Sequence, residues 1–250
     1  MAQVVVATLN LFNRMGEWER RAPLVIDQLQ ELSPDVIAFQ EVDLMIDQGN
    51  WIAAEANKHV PKERRYRVKH AASPGKLASI HGIATMASVQ CLEHEVLDLM
   101  TFQRIAQRLV FEVDGRRFLF VNLHLHHPVE AEQERVAQTE YLLAWLDRDG
   151  RDLPAVVAGD FNSYVHEQTV ARMKARYRSA YEAVHGREPE KTWTTPVNTY
   201  DNSPHGTLDY IYVSDKFKIL DAGLAFDRPS PDDPDLYPSD HLGLFARLEL

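Results

Sequence analysis

The chain has 250 residues, 45% hydrophobic and 26% charged, with a formal net charge of -10 at pH 7. That composition is ordinary for a globular protein with a sizeable core, and the acidic balance argues against a surface built mainly to attract polyanions. It leaves a nucleic-acid substrate open, because bound divalent cations invert the local sign at a site.

Gln3 to Leu11 is β-branched and apolar and predicts a buried strand ending at Asn10. It lacks the basic head and long apolar run of a secretory signal. Glu17 to Leu32 has helical spacing (Trp18, Leu24, Val25, Leu29, Leu32) and is stopped by Ser33-Pro34. Asp35 to Phe39 is a short strand, closing a β-α-β unit at Gln40-Glu41. Trp51 to His59 predicts another helix.

Successive strands follow: Tyr66–His70, Gly82–Ala87, Val89–Leu99, Gln107–Val113 and Arg117–Leu125. Asp114-Gly115 signals a hairpin between the last two. The lone cysteine, Cys91, has no thiol partner for a disulfide or a zinc site, and its apolar neighbours suggest a buried structural thiol. Val129 to Asp147 predicts an amphipathic helix. Leu153 to Ala158 is an apolar strand running into Gly159-Asp160. Helical segments are expected around Glu167–Tyr177 and Ser179–Val184, a loop over Arg187–Gly206, and strands over Thr207–Val213, Phe217–Phe226 and Leu242–Leu250. Arg228 to Pro238 carries four prolines and three aspartates and reads as loop. The pattern favours one α/β domain over residues 1–250, with two mixed sheets packed together and helices outside. No stretch is apolar for long enough to span a bilayer, so a cytoplasmic soluble protein without stable membrane insertion is expected. No obligate protein partner is evident.

Asn10, Glu41, Asp160, Asn162, Asp209, Asp240, His124 and His241 are read as lying at or next to the C-terminal ends of predicted strands, or in the loop beyond them, where α/β sheets place their sites. Glu41, Asp240 and Asn10 offer hard oxygen ligands suited to Mg²⁺ or Mn²⁺. Asp160 and Asn162 flank Phe161, and in extended geometry their side chains point the same way. Asp209 is an acid in an apolar strand that needs a partner to justify burial; His241 suits, since an Asp–His pair raises the imidazole pKa and leaves a cation for phosphate charge. On Arg117–Leu125, Phe118, Phe120, Asn122 and His124 share a face that turns polar toward the strand end. Each feature has a plainer reading, an Asx turn for Gly159-Asp160-Phe161-Asn162 above all.

Taken in order, Thr8-Leu9-Asn10, Asp35-Val36-Ile37-Ala38-Phe39-Gln40-Glu41-Val42, His81-Gly82-Ile83-Ala84, Val121-Asn122-Leu123-His124-Leu125, Gly159-Asp160-Phe161-Asn162, Leu208-Asp209-Tyr210-Ile211 and Ser239-Asp240-His241 resemble the endonuclease/exonuclease/phosphatase superfamily over essentially the whole chain. The resemblance implies a four-layer α/β sandwich, two mixed β-sheets face to face with helices on both outer sides. It implies Mg²⁺-dependent hydrolysis of a phosphate ester by direct attack of water, with one or two ions and Mn²⁺ able to substitute. By the same resemblance Glu41 is the principal metal ligand, with Asn10 and Asp240 nearby. Asp160 orients or deprotonates the water or serves a second metal, Asn162 and His124 bind phosphate, and Asp209 partners His241. Arg135 and Gln138 match an Arg-x-x-Gln spacing of deadenylase- and sphingomyelinase-like members, read here as tying helix to sheet.

The leading expectation is a nuclease-type phosphodiesterase on DNA or RNA. The alternative is a small-molecule or phospholipid phosphoesterase of the same fold, and a non-catalytic scaffold is a remote third. Lys62, Arg64, Arg65, Arg67 and Lys69 form a basic run able to meet a polyanion or to line a solvated strand edge. His124-Leu125-His126-His127 suggests a zinc hydrolase, against which stands the missing acid among its histidines. The loops Arg187–Gly206, with Trp193, Tyr200 and His205, and Arg228–Pro238 are expected to shape a substrate pocket.

Overall fold

Alternation with a period of two along the strands decides the layering. The computed structural model describes residues 2–75, 80–148, 152–200 and 202–250. Strands β1 (Gln3–Asn10), β2 (Val36–Val42), β3 (Arg67–Ala72), β4 (Gly82–Ala87), β11 (Lys218–Ala225) and β12 (Gly243–Glu249) form one mixed sheet in the order β11-β12-β1-β2-β4-β3. Strands β5 (Gln90–Asp98), β6 (Ile105–Val113), β7 (Arg116–His124), β8 (Ala155–Asp160), β9 (Arg178–Ser179) and β10 (Asp209–Val213) form the other, in the order β5-β6-β7-β8-β10-β9.

Val4 and Val6, Val36 and Ala38, Phe118 and Phe120, Val156 and Ala158, and Ile211 and Val213 meet between the sheets in one apolar cluster. The alternate residues Ala7, Leu9, Ile37 and Phe39 face helices α1 (Trp18–Leu32) and α2 (Gln48–Ala56). Leu119, Val121, Leu123 and Val157 face α3 (Glu132–Arg148) and α4 (Gln168–Lys174). Helix, sheet, sheet and helix make the expected four layers. The fifth helix, α5 (Ala180–His185), departs from the outer layers: it packs on β10 and β11 and closes the open side of the sandwich.

The elements follow the sequence reading closely, and the differences have local causes. Strand β9, two residues long, carries no pattern to read. Asp114 and Gly115 take φ of 51° and 75° between Val113 and Arg116, which pair, as a two-residue hairpin turn requires. Cys91 is only partly buried, because β5 is an edge strand, so the buried thiol is corrected. The basic run lies on a short 3-10 turn and edge strand β3. Arg67 pairs with Ala87 at the starting end of β2, and Arg64 is bonded to Asp35 there at 3.3 Å. Asp201 of the Arg187–Gly206 loop lies outside the described residues.

Gly159 pairs with Leu123 across the parallel β7–β8 contact at φ 146°, and a Cβ there would sit 2.1 Å from the Leu123 carbonyl oxygen. Gly159→Ala should therefore destabilise by about 3 kcal/mol or more, from overpacking and positive-φ strain together. Urea unfolding of the two proteins measures this, and equal midpoints would contradict the packing described.

Candidate functional site

The inter-sheet face of each central strand begins apolar and ends polar at one rim. Along β1 it reads Val4, Val6, Thr8, Asn10; along β2, Val36, Ala38, Gln40; along β7, Phe118, Phe120, Asn122, His124; along β8, Val156, Ala158, Asp160. Asp209 reaches the same rim from the start of β10, which runs antiparallel to β8 with Asp209 opposite Asp160. Asp240 and His241 likewise precede β12, antiparallel to β1. These three thus sit at strand starts, which corrects the expectation that every candidate sits at or beyond a C-terminal strand end; antiparallel pairing delivers them to the same place.

Glu41 reaches the rim by a bulge. The β2–β4 register slips between Phe39 and Val42, Glu41 takes φ 49°, and Val42 packs under the helices where strict alternation would turn it inward. The site is a cleft of about 160 Å³ whose walls include Glu41, Asp160, Asn162, Asp240 and His241. Asn10 stands behind it, donating from Nδ2 to Asp160 Oδ2 at 3.0 Å and accepting the Phe12 N–H at Oδ1.

His241 Nδ1 lies 2.8 Å from Asp209 Oδ2, both residues buried, and its Nε2 is 3.9 Å from Asp160 Oδ2. Burial alone would depress the imidazolium, but Asp209, Asp240 and Asp160 outweigh it and hold His241 well above the ordinary histidine range. Burial first, then the neighbouring Asp209 charge, push Asp160 up to about 7. Asp240 rises to about 6, through burial and then Glu41. His124 goes the other way: burial and the Arg104 charge hold it well below the usual value. Its Nε2 is 3.4 Å from Asp160 Oδ2 and 3.9 Å from Glu41 Oε1, with no hydrogen-bond partner.

Asp160 ends β8, but extended geometry does not continue to Asn162. Asn162 has φ 48°, its N–H donates to Asp160 Oδ1 at 2.8 Å, and its side chain donates to Leu125 O. The Asx turn and the site are one object, with Phe161 buried beneath as the anchor. The His124–His127 run does not converge: His126 stacks on Phe102, and among the described residues the run makes no metal-capable group. The group that does form is Asp160, Asp209 and His241, with ligand atoms within 4.8 Å of one another. Oxygen donors crowded in a buried cleft, two of them with raised pKa, fit a divalent cation.

Arg104, Asn198 and Arg21 carry no motif, and Gln40, named beside Glu41, makes a contact its motif did not foretell. Arg104 bonds His124 from the β5–β6 turn. Asn198 donates to Asp240 Oδ2 at 2.9 Å. Gln40, with no exposure, donates to Asn122. Arg21, lowered to about 10 by burial, joins Leu11 O and Pro238 O and so binds the loops after Asn10 and before Asp240. An arginine on the apolar face of a helix was the one signal available for it. Arg135 and Gln138 are buried and structural as read, Gln138 accepting from His126 N–H and Arg135 bonding Pro128 O and Glu167. Trp193 is packed against His241 and the loop, while Tyr200 is exposed.

A model of the Endonuclease/Exonuclease/phosphatase family matches residues 7–241. Nocturnin of Xenopus laevis is 27% identical over 250 residues, covering 91% of this chain and 64% of that protein. Human Nocturnin is also 27% identical, with 91% and 57% covered, so the chain spans about three fifths of the length of these curated relatives. The human Nocturnin catalytic domain with bound sulfate anion superposes with a TM-score of 0.79 at 24% identity, covering 99% and 94% of the two chains. D. rerio TDP2 complexed with single strand DNA product gives 0.80 at 18%, with both chains fully covered. A Bacteroides thetaiotaomicron mannosyl-6-phosphatase gives 0.78 at 22%, covering 99% and 100%. At these identities the structural likenesses speak for the fold.

The raised carboxyls give the metal-free protein a definite pH dependence. Native Asp160, held up at about 7, keeps a proton that the unfolded chain has released, so stability falls as pH rises through that region. His241 adds to the fall above about pH 6.5, where the depressed His124 and His126 are neutral folded or unfolded. In chelator the melting temperature should drop between about pH 6.5 and 8, and Mg²⁺ should recover it by standing in for the lost proton. A flat profile in chelator, indifferent to Mg²⁺, would contradict the charge balance described.

Proposed function

The chain belongs to the endonuclease/exonuclease/phosphatase family and is a hydrolytic phosphoesterase; from that premise we propose that it cleaves phosphodiesters of DNA or RNA by direct attack of water, with Mg²⁺ or Mn²⁺ as cofactor. The observation that carries this reading is the buried 2.8 Å His241–Asp209 pair beside Asp160, in a cleft shared with Glu41 and Asp240. Glu41 and Asp240 would hold the cation, with Asn10 behind them, because in the tighter Asp160, Asp209 and His241 group the His241 ring is already paired with Asp209. When bound, it would polarise a phosphoryl oxygen and offset the charge of the acids.

The remaining work falls to the chain. Asp160, fixed by Asn10 and the Asn162 N–H, accepts the proton of the attacking water; a carboxyl near 7 is well placed for that at neutral pH. His241, kept cationic by Asp209, donates to the phosphate where charge builds in the transition state. Asn162 and His124 form the wall on which the phosphate rests. A DNA product held by the TDP2 structure and a sulfate held by the Nocturnin domain support the phosphodiester reading. A second reading, hydrolysis of a small phosphomonoester, draws support from the mannosyl-6-phosphatase likeness and from the net charge of -10. The basic run adds little on the nucleic-acid side, lying at the opposite strand ends from the cleft.

With Mg²⁺, bis-p-nitrophenyl phosphate should be cleaved faster than p-nitrophenyl phosphate, and chelator should stop both. Asp160→Asn and His241→Ala should each lower kcat by about 10² to 10⁴-fold with folding retained. Unchanged turnover in either variant removes the assignment, and preference for the monoester moves the reading to a phosphatase.

A further inference from the structure

Arg104 closes the β5–β6 turn, and its guanidinium lies against two histidines at once. Nη1 is 3.0 Å from His124 Nδ1, and Nη2 is 3.0 Å from His127 Nδ1. A guanidinium offers donors only and does not deprotonate in proteins. Each facing ring nitrogen must therefore accept, which leaves the ring proton on Nε2 in both histidines. We propose that Arg104 is a positioning residue of the hydrolytic site, its two-pronged contact locking His124 and His127 as Nε2–H tautomers so that an N–H donor, not a lone pair, faces the substrate phosphate. The proposal rests on the phosphoesterase reading above.

The surroundings of His124 give the tautomer its consequence. The residue is 5% exposed, and its Nε2 finds no partner, with Asp160 and Glu41 carboxylates at 3.4 and 3.9 Å. In the other tautomer a lone pair would confront those carboxylates and any phosphate oxygen entering the cleft. As Nε2–H the ring is a neutral donor left open in a buried place, and a phosphate oxygen is the acceptor that completes it. His127 lines the cleft itself, whose walls include the Glu41 and Asp160 that His124 adjoins.

The turn that carries Arg104 is held as a rigid arm. Met100, Phe102 and Gln103 all have positive φ, of 68°, 55° and 57°, a conformation that persists only when its surroundings enforce it. Leu99 N–H donates to Arg104 O at 2.9 Å, and Gln138 Nε2 donates to Thr101 O and Oγ1. The Phe102 ring stacks on His126 at 3.6 Å. Gln138 also accepts the His126 N–H, so one side chain clamps the arginine turn to the histidine segment.

The test reads the tautomers directly, by long-range ¹H–¹⁵N correlation on histidine-labelled full-length protein in Mg²⁺, before any substrate is added. Wild type should show Nε2–H rings at His124 and His127. Arg104→Met should show an Nδ1–H population at His124, a kcat about 10- to 100-fold lower, an unchanged melting temperature and partial recovery with added methylguanidine. Arg104→Lys, which offers one charged donor in place of a fork, should hold the tautomer of one histidine only. An Nδ1–H ring at His124 in wild type would overturn the proposal, as would an Arg104→Met protein with unaltered tautomers and kcat. Wild-type protein that shows the expected tautomers but hydrolyses no ester would instead count against the phosphoesterase reading, since the two results are read separately.

Discussion

Buried side-chain hydrogen bonds join the two sheets where the apolar layer gives way to the site: Gln40 Nε2 donates to Asn122 Oδ1 at 2.8 Å, Thr85 Oγ1 to Gln107 Oε1 at 2.8 Å and Asn10 Nδ2 to Asp160 Oδ2 at 3.0 Å. Asn122 then donates to Ala84 O and Phe39 O, reaching back across to the opposite sheet. A buried amide left unpaired costs about 1–3 kcal/mol, so sliding one sheet past the other would be opposed at this point by several such groups together. Apolar packing between sheets has no comparable preference for one alignment. These buried pairs together oppose any other alignment, and in the alignment they hold Glu41 on one sheet meets His124 and Asp160 on the other.

Beyond those bonds the chemistry of the layer is governed by charge. Glu41, Asp160, Asp209 and Asp240 gather at one rim, and the cations beside them are His241, Arg104 and the deeper Arg21. The raised pKa values of Asp160 and Asp240 record burial first and, after it, the neighbouring acids Asp209 and Glu41, an imbalance of charge away from water. A cation bound among these oxygens, and a phosphate held against His124 and His241, would each settle part of that imbalance. The same fold carries proteins whose names point to DNA and to a sugar phosphate.

Much of this was legible in the chain. The strand pattern, the hairpin at Asp114-Gly115 and the polar ends of the β7 and β8 faces are local properties, carried by residues two apart, and they survive in the fold. The Asp209–His241 pairing was legible through an energetic need, an acid in an apolar strand requiring a partner. Arg104 and Asn198 were not, because single polar residues in turns look like ordinary solvated groups until their neighbours are known; Gln40 was read beside Glu41, but its bond to Asn122 was not. Extended geometry for Asp160 and Asn162 failed for a related reason: the Asx turn is a choice among local conformations that Phe161 burial decides.

The sequence by itself therefore determined the elements, the layers and the residue types at the rim, since alternation and turn chemistry act over a few neighbours. Only the tertiary structure decided which of those residues meet. Antiparallel pairing brings Asp209, Asp240 and His241 back to the rim, a one-residue bulge turns Glu41 to it, and a guanidinium from another turn presents itself to His124. Charges and hydrogen bonds act over a few ångströms, and chain order is silent about which distant residues come that close.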